Sequence, residues 1–521
     1  MTNLHKSGLI NIFILVMIAI FTPHEWYYLL LTVAQLVYVP LVLGSFIKNN
    51  SIVWFAIPAF LSVIVLQLTS QTSGDLLLAT IYFAFTIVVA FHGIKRFLNR
   101  GFIYMEEILI DMAMMFLAIG GMWFWASEAG IDTGFSPIIT WLTGIHFHYA
   151  AFMFLVFAGI LGRIYKPKGY HLLACAIIIA PVFVALGITF STFLELVSVI
   201  IYIIGIYGFI VLSFKAPFQS SWQKWLLRIS FLALGVTILF SLIYAFGNWS
   251  GMYVITIDFM LQFHGLINAV VFAGTGVIVS TVFVPLTNVK TPDFPVSPLR
   301  ASWKVGELFL NGKIDEQESV KGLVDDMSVY DLELAPSIVD FYENTTAYRL
   351  FARVQWKPWF KPFAAVYRLF SRKTQQINLP LSSETVEMTG DVLPIKSELD
   401  QRKKVRAWLR QINDDTTFVA LYSEHQANGK TYMNIALPLP GSSMIGILDL
   451  SKQGEKLVLS SEEVGIYLAF RQSFMKLPIH ERFEVEEIEM GELKATHRMR
   501  IFGLPFLQID YEIKKESYYA L

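Results

Sequence analysis

Two short clusters hold the side chains best suited to chemistry: His146-Phe147-His148-Tyr149 and His264-Gly265-Leu266-Ile267-Asn268. Each sits inside a long apolar run. Imidazole titrates near neutral pH and also ligates transition metals. An ionisable side chain in hydrocarbon costs about 2.5 kcal/mol or more, so a chain that keeps several there has a use for them. Asp111, Asp258 and Asn268 complete the polar set within the same kind of surroundings. Such a set could bind a metal ion or haem, or work as acid and base.

The spacings limit these options. His146 and His148 are two residues apart and point about 200° apart on a regular helix. Both can serve one metal only if the helix is deformed there, for example by a π-bulge, and Gly144 could ease that. The tentative metal ligands are His146, His148 and His264, with one of the first two expected to face elsewhere. His264 and Asn268 are i, i+4 neighbours, as are Glu107 and Asp111.

Apolar runs must position these residues. The chain has 521 residues, 55% hydrophobic and 15% aromatic, with a formal net charge of -1. That composition is too apolar for a soluble protein of this length, and the charge argues against nucleic acid as a partner. A membrane span needs about 20 mostly apolar residues. Ten are expected, at roughly 7–22, 26–47, 52–69, 76–94, 103–126, 137–161, 170–188, 192–213, 224–246 and 253–284. The first is read as a retained span rather than a cleaved leader. Lys6, Lys48, Lys95, Arg96, Arg100, Arg163, Lys166, Lys168, Lys215 and Lys224 fall in alternate connections, while the others hold His24, Glu25, Asp75, Glu128 and Asp132. This asymmetry places both termini in the cytoplasm of a cell-membrane protein. His146, His148 and His264 then share a level near the bilayer midplane, and Asp111 comes toward them from the opposite end. Cys175, the single cysteine, rules out an intramolecular disulfide and is expected to be buried.

The same two clusters carry a family resemblance. His146-Phe147-His148-Tyr149-Ala150 and His264-Gly265-Leu266-Ile267-Asn268-Ala269 resemble the YndJ-like proteins of Bacillus and related bacteria. The resemblance covers most of the chain, the first half above all. It implies a bacterial multi-pass membrane protein and brings no substrate or reaction with it.

Beyond about residue 287 the composition becomes mixed. Residues 288–300 read as a linker, with Pro292, Pro295 and Pro298. Residues 301–521 read as a cytoplasmic α+β domain: helices from about 300 to 375, then a curved antiparallel sheet. Strands are expected at 418–422, 432–437, 444–450, 457–459, 465–470, 483–488, 493–500 and 507–513, with a hairpin turn at Asn428-Gly429. Residues 353–373 contain six Lys or Arg and no acidic residue, interleaved with aromatics. Trp359, Phe363, Tyr367 and Phe370 fall on one helical face. With Lys357, Lys361 and Arg368 they suit an anionic lipid surface. A helix burying its aromatics in its own domain core explains the pattern equally well.

Three functions remain open on sequence alone. One is an intramembrane enzyme or cofactor protein, the second a proton-coupled transporter, and the third a membrane scaffold or sensor that does no chemistry.

Overall fold

A computed structural model describes residues 1–252, 254–289, 293–471 and 473–516. The expected start of the tenth span at 253 and part of the expected linker, 290–292, lie outside the described residues. The chain divides into two compact units. The first holds Met1–Phe97 and Tyr104–Val289, and the second holds Leu98–Ile103 and the chain from Lys290 on.

Among the described residues, ten helices of the first unit are long and apolar enough to cross a membrane. They are α1 (Asn3–Phe21), α2 (Tyr28–Phe46), α3 (Asn50–Leu68), α4 (Asp75–Leu98), α5 (Met105–Glu128), α6 (Pro137–Ile164), α7 (Tyr170–Phe190), α8 (Thr192–Lys215), α9 (Ser221–Ser250) and α10 (Ile257–Val282). Each coincides with one expected span to within a few residues. Local signals mark their ends. Pro137 opens α6, where its missing N–H is no loss. Gly251, at φ 77°, closes α9 in a left-handed turn.

Burial within the unit is uneven. Most of α6 is buried within the unit and most of α1 is not, so α6 is the hub and α1 lies at the rim. Phe13, Trp54, Leu172 and Phe190 turn outward, as apolar side chains do when hydrocarbon is the solvent. The same outward turn corrects the expectation for Cys175, which is exposed on α7.

Charges at one end of α4, α5 and α6 are paired. Glu107, 1% exposed, accepts from the Arg163 guanidinium at 2.7 and 2.9 Å, from Arg96 at 3.2 Å and from the Thr287 hydroxyl at 2.9 Å. Glu106 accepts from Lys166 at 2.7 Å. Gly159 permits the close approach of α6 to α5, since a Cβ there would lie 2.6 Å from the Glu106 carbonyl oxygen.

Among the described residues, the second unit is built on one antiparallel sheet of twelve strands. They are β1 (Tyr348–Trp356), β2 (Thr385–Met388), β3 (Val392–Pro394), β4 (Lys403–Ile412), β5 (Asp415–Ala427), β6 (Lys430–Leu439), β7 (Ser442–Gln453), β8 (Lys456–Phe470), β9 (Ser473–Lys476), β10 (Ile479–Glu489), β11 (Glu492–Ile501) and β12 (Leu504–Lys515). The spatial order is β2-β1-β12-β11-β10-β8-β7-β6-β5-β4-β3, with β9 beside β8, and the sheet is not closed. Every expected strand falls within β5–β8 or β10–β12. Asn428 and Gly429, both at positive φ, make the β5–β6 turn. The runs at 457–459 and 465–470 are one strand, β8, kinked at Gly465 with φ 115°.

Alternation places a core on each face. In β5, Phe418, Ala420 and Tyr422 join one apolar cluster while Val419 and Leu421 join the other. The expectation of helices throughout 300–375 is corrected. A helix at Gly306–Leu310, α11 (Pro336–Glu343) and α12 (Lys361–Thr374) occupy parts of that region, but β1 separates α11 from α12. Residues 348–356 pair with β12 along nine positions, a long-range contact that overrides local preference.

Candidate intramembrane site

Among the described residues, π-helical turns interrupt three spans, α2, α6 and α10, and two of these, α6 and α10, carry the facing histidines. These cover Ala34–Tyr38 in α2, Phe147–Met153 in α6, and Met260–Gly265 and Asn268–Phe272 in α10. A π-turn takes in an extra residue and shifts the backbone register, so some carbonyls need partners from elsewhere. Hydroxyls supply them. Tyr149 donates to the Leu30 carbonyl at 2.6 Å, Tyr38 to Ala269 at 2.8 Å, Tyr202 to Ala150 at 2.7 Å and Ser230 to Phe272 at 2.7 Å. These bonds join α2, α6, α8, α9 and α10. Removing one should leave a buried acceptor unpaired. Tyr149→Phe is expected to cost about 1–3 kcal/mol, seen as a lower denaturation midpoint of the full chain in detergent. An unchanged midpoint would show that the Leu30 carbonyl finds another donor.

His146 and His148 leave α6 in different directions. His148, fully buried, places Nδ1 2.8 Å from the Gly144 carbonyl and Nε2 2.8 Å from the Tyr82 hydroxyl of α4. A carbonyl only accepts, so Nδ1 carries the proton and Nε2 accepts from Tyr82. Gly120 on α5 makes room for this ring, since a Cβ there would lie 2.8 Å from His148 Nδ1.

His146 turns toward α10, where its ring centroid lies 6.3 Å from that of His264. His146 Nδ1 donates to the Leu142 carbonyl at 2.6 Å. Its Nε2 lone pair has no hydrogen-bond partner among the described residues. His264 Nδ1 donates to the Thr237 carbonyl at 2.9 Å and lies 3.4 Å from the Ser241 hydroxyl. His264 Nε2 accepts from the Asn268 amide at 3.1 Å, and Asn268 in turn accepts from the Thr237 hydroxyl at 2.7 Å. One imidazole of the pair is therefore fully engaged, while the other keeps a basic nitrogen.

The remaining expected members lie apart. Asp111 accepts from Arg96 Nε at 2.7 Å and belongs with the charged cluster at the end of α5, which corrects the idea that its carboxylate approaches the histidines. A buried carboxylate is held by the nearest cation, and Arg96 reaches it from α4. Asp258 is exposed in the first turn of α10, six residues ahead of His264. Among the described residues no three His, Cys, Asp or Glu side chains form a group that could hold a metal ion. His146 and His264 face each other, and His148 belongs to a separate contact with Tyr82.

Sequence reasoning missed Tyr82, Thr237 and Ser241. Thr237 and Ser241 lie four residues apart on α9, and that spacing was a usable signal. Tyr82 is one of many aromatics in an apolar run and carries no such mark.

The residues expected at a lipid surface lie around α12. Lys357 and Trp359 precede it, Lys361 opens it, and Phe363 and Arg368 lie within it. Trp359 and Phe363 are exposed, Lys357 and Lys361 are exposed, and Arg368 is half-buried.

Comparison with known proteins agrees with a membrane protein. A family model described as YndJ-like protein matches residues 29–272, a stretch that includes both histidine clusters, Asp111, Asp258 and Asn268. A relative from Bacillus subtilis (strain 168), named Uncharacterized membrane protein YndJ, is 36% identical over 501 residues, which is 91% of this chain and 89% of its own length. No solved structure matches. With that identity over nearly its whole length, the chain belongs to the YndJ-like family of multi-pass membrane proteins.

Proposed function

We propose that the membrane unit performs acid–base chemistry at its midplane, with His146 Nε2 as the group that takes up and releases a proton. The observation that carries this reading is the unpartnered Nε2 of His146 beside a neutral, fully hydrogen-bonded His264. A general base needs an accessible lone pair, and its neighbour must not repel the cation that forms. His146 is exposed at the surface of the unit, so a small substrate or a proton carrier can reach it.

A polar strip on α9 favours proton exchange with an aqueous side, and hence coupled transport over a closed enzyme site. Thr237 and Ser241 lie beside His264. Asn248, seven residues on from Ser241, reaches the Glu195 carboxylate of α8 at 3.3 Å near the ends of both spans. The zinc version of the cofactor reading is weaker, because two imidazoles supply only two of the three or four protein ligands that zinc takes.

Sidedness follows the charge asymmetry: both termini, and with them the second unit, are cytoplasmic. Support comes from Leu98–Ile103, which clusters with the second unit. Six candidate spans, an even number, separate that loop from residue 290, so both emerge on one side.

The test is a pH-difference infrared spectrum of the full chain in detergent. An imidazole band should appear, vanish in His146→Gln and persist in His148→Gln. A spectrum unchanged by His146→Gln would overturn the reading. So would a stoichiometric metal in the purified protein that is lost on replacing either His146 or His264.

A further inference from the structure

We propose that α12 and the adjoining β11–β12 turn form a face that inserts into the surface of an anionic bilayer, the one in which the chain's own spans are embedded. Fourteen residues of α12 expose five large apolar side chains: Phe363 62%, Val366 59%, Tyr367 41%, Leu369 66% and Phe370 58%. Only Ala364 and Ser371 of this helix are buried. A helix packed on its own domain does the reverse, keeping its large apolar residues inside. An apolar surface this dense needs an occupant.

The patch continues past the helix. Trp359, 45% exposed, donates its indole N–H to the Pro505 carbonyl at 3.0 Å. That contact sets it beside the β11–β12 turn, whose Phe502 and Leu504 are 66% and 57% exposed.

Two further observations select lipid as the occupant. The first is charge. Lys357, Lys361, Arg372 and Lys373 are exposed at the two ends of the apolar face, and no acidic residue occurs from 353 to 373. A basic border around an apolar face matches phosphate headgroups above acyl chains. The second is the chain itself. Phe102 packs on Phe502 with ring centroids 5.8 Å apart, and its amide donates to the Lys476 carbonyl at 3.3 Å. Phe102 stands three residues before Met105, the first residue of α5. The turn that bears Phe502 is therefore tethered within a few residues of where a span begins.

The full chain tests this directly, because Cys175 is its single cysteine. In a Cys175→Ser background, a nitroxide is placed at Val366→Cys and, as a solvent reference, at Glu455→Cys, whose native side chain is 90% exposed. The protein is reconstituted in nanodiscs of phosphatidylcholine with or without phosphatidylglycerol. In the anionic discs the label at 366 should gain accessibility to oxygen and lose it to a water-soluble nickel complex, so that the ratio differs from that at 455 by about tenfold. The exposed-site variant Lys361→Glu/Arg372→Glu/Lys373→Glu should return most of the label to water. A label at 366 that stays as aqueous as the one at 455 in both disc types would overturn the proposal. Spin–spin broadening at 366 without oxygen accessibility would also overturn it, and would assign the face to a second copy of the chain.

Discussion

Replacing Glu107 by alanine is expected to destabilise the membrane unit by about 3–5 kcal/mol, the range seen when one partner of a buried ion pair is removed. The Glu107 carboxylate is nearly inaccessible, and its hydrogen-bond donors include Arg163, twice, and Arg96 and Thr287. Without it, the buried Arg163 guanidinium keeps its bond to the Pro285 carbonyl at 2.9 Å but loses its counter-charge. Arg96 retains Asp111 and is 22% exposed, so water relieves part of its loss. The effect should therefore follow Arg163 more than Arg96. Glu107→Gln, which keeps acceptor capacity without the charge, should fall between wild type and Glu107→Ala. Thermal melting of the full chain in detergent measures all three. A Glu107→Ala midpoint equal to that of wild type would show that the cluster is solvated or rearranges freely.

The second large effect belongs to the sheet unit. Arg402→Ala should cost about 3–5 kcal/mol there, again by leaving a buried charge alone. Asp400 and Arg402 are 1% and 4% exposed and pair at 2.9 Å. Arg402 also donates to Asn434 Oδ1 at 2.9 Å, and Asp400 accepts from the Ser297 hydroxyl at 2.7 Å. Asn434 donates to the Pro295 carbonyl at 2.7 Å. The network thus fastens residues 295–297 onto β6 and the segment that leads into β4. Arg402→Ala should expose this segment to limited proteolysis as well as lower the melting transition of the unit. Replacing both charges, as Asp400→Leu/Arg402→Met, should recover much of the loss, because no charge is left unpaired. A double variant as unstable as Arg402→Ala would locate the cost in packing instead.

Membership of the helices and strands was legible in the sequence because both follow short-range rules. Hydrocarbon thickness demands about 20 apolar residues per span, so ten runs announced ten helices. Apolar and alternating runs announced β5–β8 and β10–β12. The residues of β1 carried a weaker mark. Their pairing with β12 spans more than 150 residues of sequence, and no local pattern encodes it.

The candidate site was legible in its components and illegible in its arrangement. The sequence by itself determined that histidines, an asparagine and carboxylates would lie in apolar helices, and that His146 and His148 would point apart. Only the packing of α10 against α6 decided that His264 faces His146, while α4 took His148 through Tyr82. Only the approach of Arg96 and Arg163 decided that the α5 acids serve a charged cluster away from the histidines. The physical reason is the same in each case. A helix fixes the direction of its side chains from sequence alone, but the partner in that direction is chosen by which helix packs there, and the tertiary structure settles that.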